Sequence, residues 1–174
     1  MQRKPLLFRK NDTEQQNKVI VCDLAASDSR GKITLYKNSE NKGDNRIYPD
    51  TLLDEEETVV SNTLDYICEL HGITSVQFVK LDVQGAEAKV IRGASKILSN
   101  SPDCILMTEA WAYGLSRCGS NVSDYIRSLR SFGFTIHELR NKSLISINAD
   151  LLATRTSGRK YATIIGLKGC FARR

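Results

Sequence analysis

The sequence predicts an α/β fold, a mainly parallel sheet covered by helices on both faces. Short β-branched apolar runs alternate with amphipathic stretches of helical period. One apolar run, Val76–Leu81, stops at Asp82, turns at Gly85 and enters an amphipathic helix, the usual form of a strand–turn–helix unit. The last two predicted strands have no helix between them, so they should pair antiparallel as a hairpin. The 174 residues suit one domain with a single core, and 41% apolar with 26% charged residues is an ordinary globular balance.

In chain order, residues 9–18 are polar throughout and read as a loop or helix end. Val19-Ile20-Val21-Cys22 is a short β-branched run and predicts a buried strand. Ser27-Asp28-Ser29-Arg30-Gly31 carries turn chemistry, and Lys32-Ile33-Thr34-Leu35-Tyr36 alternates like a half-exposed strand. Residues 37–57 look irregular and polar, with Asp54-Glu55-Glu56-Glu57 as a solvated face. Leu64, Ile67, Cys68 and His71 have helical spacing, capped within Ser61–Thr63 and closed by Gly72. After the strand at 76–81, Ala86, Val90, Ile91, Ala94, Ile97 and Leu98 form the apolar stripe of one helix. Cys104–Met107 continues as a strand to Glu109. Val122, Tyr125, Ile126, Leu129 and Phe132 share a helix face that stops at Gly133. Phe134–His137 and Tyr161–Ile165 are the final strands.

The net charge of +5 is confined to the ends. Residues 1–18 hold five basic and two acidic residues and residues 151–174 six basic and no acidic ones, leaving 14 basic against 18 acidic between them. A nucleic-acid groove would draw on that middle, so nucleic acid is a minor hypothesis, testable by salt dependence. No stretch approaches the roughly 18 apolar residues of a membrane span, and Leu6-Leu7-Phe8 is too short for an export signal, so a cytoplasmic chain is expected. The cysteines are odd in number and lack metal-ligand spacing. Cys22, Cys68 and Cys104 read as small core residues, and no metal is expected. His71 and His137 read as half-buried structural residues. The motifs of nucleotide hydrolysis, zinc proteolysis and serine hydrolysis are absent.

In an open α/β sheet, ligands bind beyond the carboxyl ends of the strands. Asp82 ends one strand and Glu109 the next, so neighbouring strands would bring two carboxylates to one crevice. Lys80 lies two residues before Asp82 and projects to the same side. A lysine in an apolar strand must either reach solvent or meet a carboxylate. Each acid also has a plainer reading as a cap or loop anchor, and Glu87 could simply favour the helix dipole. Trp111 and Tyr113 could wall a pocket or pack beneath a loop.

The stretch Phe78-Val79-Lys80-Leu81-Asp82-Val83-Gln84-Gly85-Ala86-Glu87, with Arg92-Gly93-Ala94 behind it, resembles the FkbM-type methyltransferases. Ala25-Ala26-Ser27-Asp28 before Gly31, Gly43-Asp44-Asn45-Arg46-Ile47-Tyr48, Thr63-Leu64-Asp65, Thr108-Glu109-Ala110-Trp111 before Gly114 and Gly119, and Gly133-Phe134 are similar to further segments of that family, in the same order. The resemblance spans roughly residues 15–168. It implies a Rossmann-like class I methyltransferase sheet and S-adenosylmethionine-dependent methyl transfer to a hydroxyl of a small molecule or sugar. Holding the reactants in contact supplies up to roughly 7–11 kcal/mol in model reactions, and a placed base about 10²–10⁴-fold. By position it implies catalytic roles for Asp82, Lys80 and Glu109. It implies cofactor contacts from Ala25, Ala26, Ser27, Asp82 and Gln84, and acceptor contacts from Arg46 and Trp111.

Such enzymes open with a strand and a D-x-G-A-N-x-G turn, followed by a second strand ending in an acid. Neither motif occurs here, and Pro5-Leu6-Leu7-Phe8 aligns with the helix after them. The expectation is a sheet lacking its first two strands, in which residues 1–18 end a helix of the missing half. Residues 19–170 would be a partial domain and 171–174 a basic tail. The strand at 76–81 would keep an uncovered edge open to self-association. The alternative is a non-catalytic remnant acting as a partner-dependent module.

Overall fold

The computed structural model describes residues 19–41, 43–53 and 55–173, so the polar segment 1–18 lies outside the described residues. The strands are β1 (Ala25–Ser27), β2 (Gly31–Lys37), β3 (Glu55–Thr63), β4 (Phe78–Lys80), β5 (Cys104–Ala110), β6 (Thr135–Arg140), β7 (Ser143–Ser146) and β8 (Ala162–Lys168). The helices are α1 (Leu64–Leu70), α2 (Glu87–Arg92), α3 (Ser95–Ser99), α4 (Ala112–Arg117), α5 (Val122–Ser131) and α6 (Ala149–Arg155), and a 3₁₀ turn covers Gly169–Arg173.

Two sheets form, in the orders β1-β3-β2 and β4-β5-β8-β6-β7. The architecture is mixed α/β, but the mainly parallel sheet is corrected. Among the described residues, β1–β3 and β4–β5 run parallel and the other pairings are antiparallel. The final strands β6 and β8 do pair antiparallel. They are not a hairpin, because β7 and α6 intervene. The hairpin is β6–β7, turned by Asn141 and Lys142, both with positive φ.

The strand expected at 19–22 does not form. Val19, Ile20 and Val21 are 58–70% exposed, and pairing starts at Ala25 instead. An apolar run becomes a buried strand only where neighbours cover it. The acidic run is solvated as expected but not irregular: Glu55, Glu56 and Glu57 open β3, opposite Lys37, Tyr36 and Leu35, and Glu57 pairs with Lys37 across the strands.

The helix expected from Ala86 to Leu98 is broken at Gly93 and Ala94, although its whole apolar stripe is buried as expected. A side chain at Gly93 would collide with the Ser27 carbonyl oxygen, so the glycine lets β1 seat against the end of α2. Arg92 and Lys89 close that contact on Asp28, at 2.9 and 3.6 Å. Burial opposes the charge on Asp28, yet these cations hold its carboxyl below the usual range.

The core lies between the five-stranded sheet and α2, α3, α5 and α6. Leu106, Ile164, Ile91, Leu98, Ile126 and Leu129 are fully buried in it, each side chain contributing roughly 1.5–3 kcal/mol. Tyr125 is buried with them, its hydroxyl 2.7 Å from that of Thr108. Cys68 and Cys104 are buried, whereas Cys22 is only half-buried, with Sγ 3.3 Å from Nε2 of an exposed His71. No helix among the described residues is long and apolar enough to cross a membrane.

Candidate active site

β4 and β5 set the site. They run parallel with Phe78 beside Ile105 and Lys80 beside Met107, and the Leu81 amide donates to the Met107 carbonyl at 2.9 Å. Side chains paired across the sheet share a face. Continuing the register brings Asp82 beside Glu109, on the face that also carries Lys80. β5 buries Cys104, Leu106, Thr108 and Ala110 and leaves Ile105, Met107 and Glu109 half-buried on the other side.

Asp82 is clasped by its own strand end. Lys80 Nζ donates to Oδ2 at 3.1 Å and Gln84 Nε2 to Oδ1 at 2.9 Å. Burial lifts the Glu109 carboxyl above the ordinary glutamate range, nearby Asp82 pushes it further, and Lys80 opposes both. The structure thus joins Lys80, Asp82, Gln84 and Glu109 in one cluster. Its field is open to test by following the Glu109 carboxyl by NMR. Asp82→Asn is expected to lower its titration point and Lys80→Gln to raise it; indifference to both changes would show that the cluster is not electrically coupled.

The turn behind Asp82 is tightly constrained. Gln84 (φ 50°) and Gly85 (φ 105°) both occupy left-handed backbone, costly for a glutamine. Gly85 rests on Gly114 of α4, and Gly114 lies under the Trp111 ring. Ala86, Trp111, Tyr48 and Cys118 form a small apolar cluster there. Burial pushes the Cys118 thiol up to about 11.

Arg46 arrives from the other sheet. It exchanges backbone hydrogen bonds with Tyr36 of β2, at 2.7 and 2.9 Å, which fixes the loop that follows. Its guanidinium is 6% exposed. Nε and Nη2 donate to Asp44 at 2.9 Å each and Nη1 to Asp50 at 2.5 Å. It lies 5.0 Å from the Trp111 ring centre and 5.8 Å from that of Tyr48. Tyr113 donates its hydroxyl to Asp50 at 3.3 Å, and Trp111 Nε1 donates to the Gly158 carbonyl at 2.6 Å. Arg46, Asp50, Trp111, Tyr113, Gly158 and Arg159 line a pocket of about 190 Å³. With its donors engaged by two carboxylates, Arg46 builds the pocket wall. Asp50 and Arg159 escaped the reading of the sequence, since neither stands near a strand end or in a recognisable motif. A second cavity, between α1 and α3, lies beside the loop entering β4, away from this cluster.

The family model of the Methyltransferase FkbM domain matches residues 8–136. The chain belongs to the FkbM methyltransferase family. No curated protein and no solved structure matches it.

An FkbM domain implies a methyl donor, and the residues expected from the resemblance to contact it divide. Asp82 is open and Gln84 half-open at the end of β4, whereas Ala25, Ala26 and Ser27 belong to the other sheet. Ser27 is 4% exposed, its carbonyl seated on Gly93. Ala25, Ala26 and Ser27 thus stand on a different sheet from the strand that ends at Asp82.

Proposed function

We propose that this FkbM-family chain is an O-methyltransferase, using S-adenosylmethionine to methylate a hydroxyl of a small molecule or sugar. The observation supporting this is the pairing of Asp82 and Glu109 at the ends of adjacent parallel strands. Trp111, which borders the aromatic-walled pocket, follows Glu109 by two residues. Glu109 is the proton acceptor: a carboxylate with a raised titration point is a stronger base than one in water. Asp82, held between Lys80 and Gln84, lies exposed on the same sheet face as Glu109. Tyr113 offers an exposed ring to an acceptor's carbon skeleton beside the Trp111 wall, while Asp50 and Arg159 offer hydrogen bonds to its hydroxyl groups. The acceptor is a small molecule rather than nucleic acid or membrane lipid, and the setting is cytoplasmic.

A second reading, a partner-dependent module, draws on the packing of Ser27 and on β4, whose only strand partner among the described residues is β5. Self-association through that edge belongs to this reading and is checked by sedimentation. Calorimetry with S-adenosylmethionine separates the two readings. Heat at submillimolar ligand, with methyl transfer to glycosides or polyols, is expected for the first; silence at millimolar ligand selects the second. Asp82→Asn is expected to abolish transfer, and Glu109→Gln to slow it by about 10²–10⁴-fold, both with an unchanged melting profile. Full turnover by either variant removes that residue from the mechanism.

A further inference from the structure

Glu87 is among the most deeply buried side chains of the chain, 1% exposed. A carboxyl group is rarely placed there without a partner. Its Oε1 accepts the backbone amides of Val83 at 3.4 Å and Gly85 at 3.3 Å, the two residues flanking Gln84. Its Oε2 is buried with no hydrogen-bond partner. Reading Glu87 as a simple helix-dipole residue misses this, because the side chain turns back under the loop instead of facing solvent.

We propose that Glu87 is the positioning residue of the site: its carboxyl clamps the Val83–Gly85 turn and so holds Asp82 and Gln84 beside Glu109. The inference rests on the methyltransfer reading for its purpose, but not for its geometry. Without the clamp, Gln84 has every reason to leave the left-handed region, since φ 50° is unfavourable for a side chain with a Cβ. When it leaves, Nε2 can no longer meet Asp82 Oδ1 at 2.9 Å. Asp82 then keeps only Lys80, an exposed pairing worth little by itself. Burial also pushes the Glu87 carboxyl above its ordinary range despite the backbone amides of Glu87 itself, Gly85 and Val83, and neighbouring Glu109 adds to this. A neutral acid retains a carbonyl oxygen for both amides, so glutamine is the conservative replacement.

The test compares Glu87→Gln with Glu87→Met, using amide hydrogen exchange on the full chain. Glu87→Gln is expected to keep the protection of the Val83 and Gly85 amides and the titration point of Glu109. Glu87→Met, of similar volume but without an acceptor, is expected to speed exchange at those two amides tenfold or more, to leave the Leu106 and Leu129 amides unchanged, and to shift the Glu109 titration. Where methyl transfer is measurable, kcat falls in Glu87→Met and recovers in Glu87→Gln. Undisturbed amides in Glu87→Met, or equal damage in both variants, would overturn the clamp. Should Glu87→Met fail to fold, the wild-type chain still decides: the Val83 and Gly85 amide protons must move together as Glu87 titrates, and stationary resonances refute the assignment. A chain that binds no donor but shows these amide responses would sink the function and leave the clamp standing.

Discussion

Gly85→Ala is expected to destabilise the chain by at least about 3 kcal/mol, combining left-handed strain with a steric clash. Residue 85 has φ 105°, and a Cβ there would stand 2.5 Å from the Gly114 carbonyl carbon and 2.6 Å from its oxygen. These are backbone atoms and cannot rotate away. Retreat of α4 would carry Trp111, its N-cap residue, away from the hydrogen bond to the Gly158 carbonyl. The substitution therefore separates the turn carrying Asp82 and Gln84 from the helix behind the pocket. Urea denaturation should show the loss. Gly43→Ala is the control, since its nearest neighbour is 3.4 Å away at the end of the Asn41 side chain; a change within about 0.5 kcal/mol is expected there. Equal stabilities for the two variants would mean that the Gly85–Gly114 contact does not constrain the site.

Arg46→Met should be nearly as damaging, but locally. The arginine neutralises Asp44 and Asp50, whose side chains are only 18% and 13% exposed. Removing one member of a buried charge pair costs roughly 3–5 kcal/mol. The low end applies here, because the 44–50 loop can swing out and rehydrate both acids. Arg46→Lys is no rescue, since a single ammonium cannot span Asp44 and Asp50 while covering two rings. Trp111 is the sole tryptophan of the chain and is buried under this guanidinium. Its emission therefore reports on the pocket alone and should shift to the red in both variants. The same signal carries a pH dependence. Burial works against ionised Asp50, but Arg46 and further hydrogen bonds hold its carboxyl below the usual aspartate range. A depressed carboxyl contributes stability above its unfolded value and loses it as the pH falls through the folded one. Wild-type Trp111 emission should thus hold steady through the ordinary aspartate range and redden only below it; reddening near neutrality would contradict the assignment.

Elements with local causes were legible in the sequence. α1 begins where the Thr63 hydroxyl accepts the Tyr66 amide, and α5 buries Val122, Tyr125, Ile126 and Leu129, the face its spacing predicted. β2 forms where the sequence places a half-exposed strand, although its burial does not alternate, and β5 buries every second residue. Elements defined by partners were not legible. β3 starts in a run of glutamates because β2 offers Lys37 opposite Glu55 and the Glu57 carboxylate takes its ammonium. α4 is a single helical turn or so, too short for periodicity to declare. α6 is announced only by Asn148, whose side chain accepts the Asp150 and Leu151 amides. The run at 19–22 shows the reverse error, since β-branched residues specify a strand only where another strand or a helix receives them.

The order of residues alone determined that a strand ends at Asp82, that a glycine turn follows, and that a second strand ends at Glu109, because alternation and turn chemistry are local properties. Tertiary structure alone decided that these strands are parallel neighbours, that Arg46 crosses from the smaller sheet to lie on Trp111, and that Glu87 folds under the turn instead of facing water. Each of these depends on contacts between segments distant in the chain or on burial by several elements at once, and neither leaves a period or a spacing in the sequence.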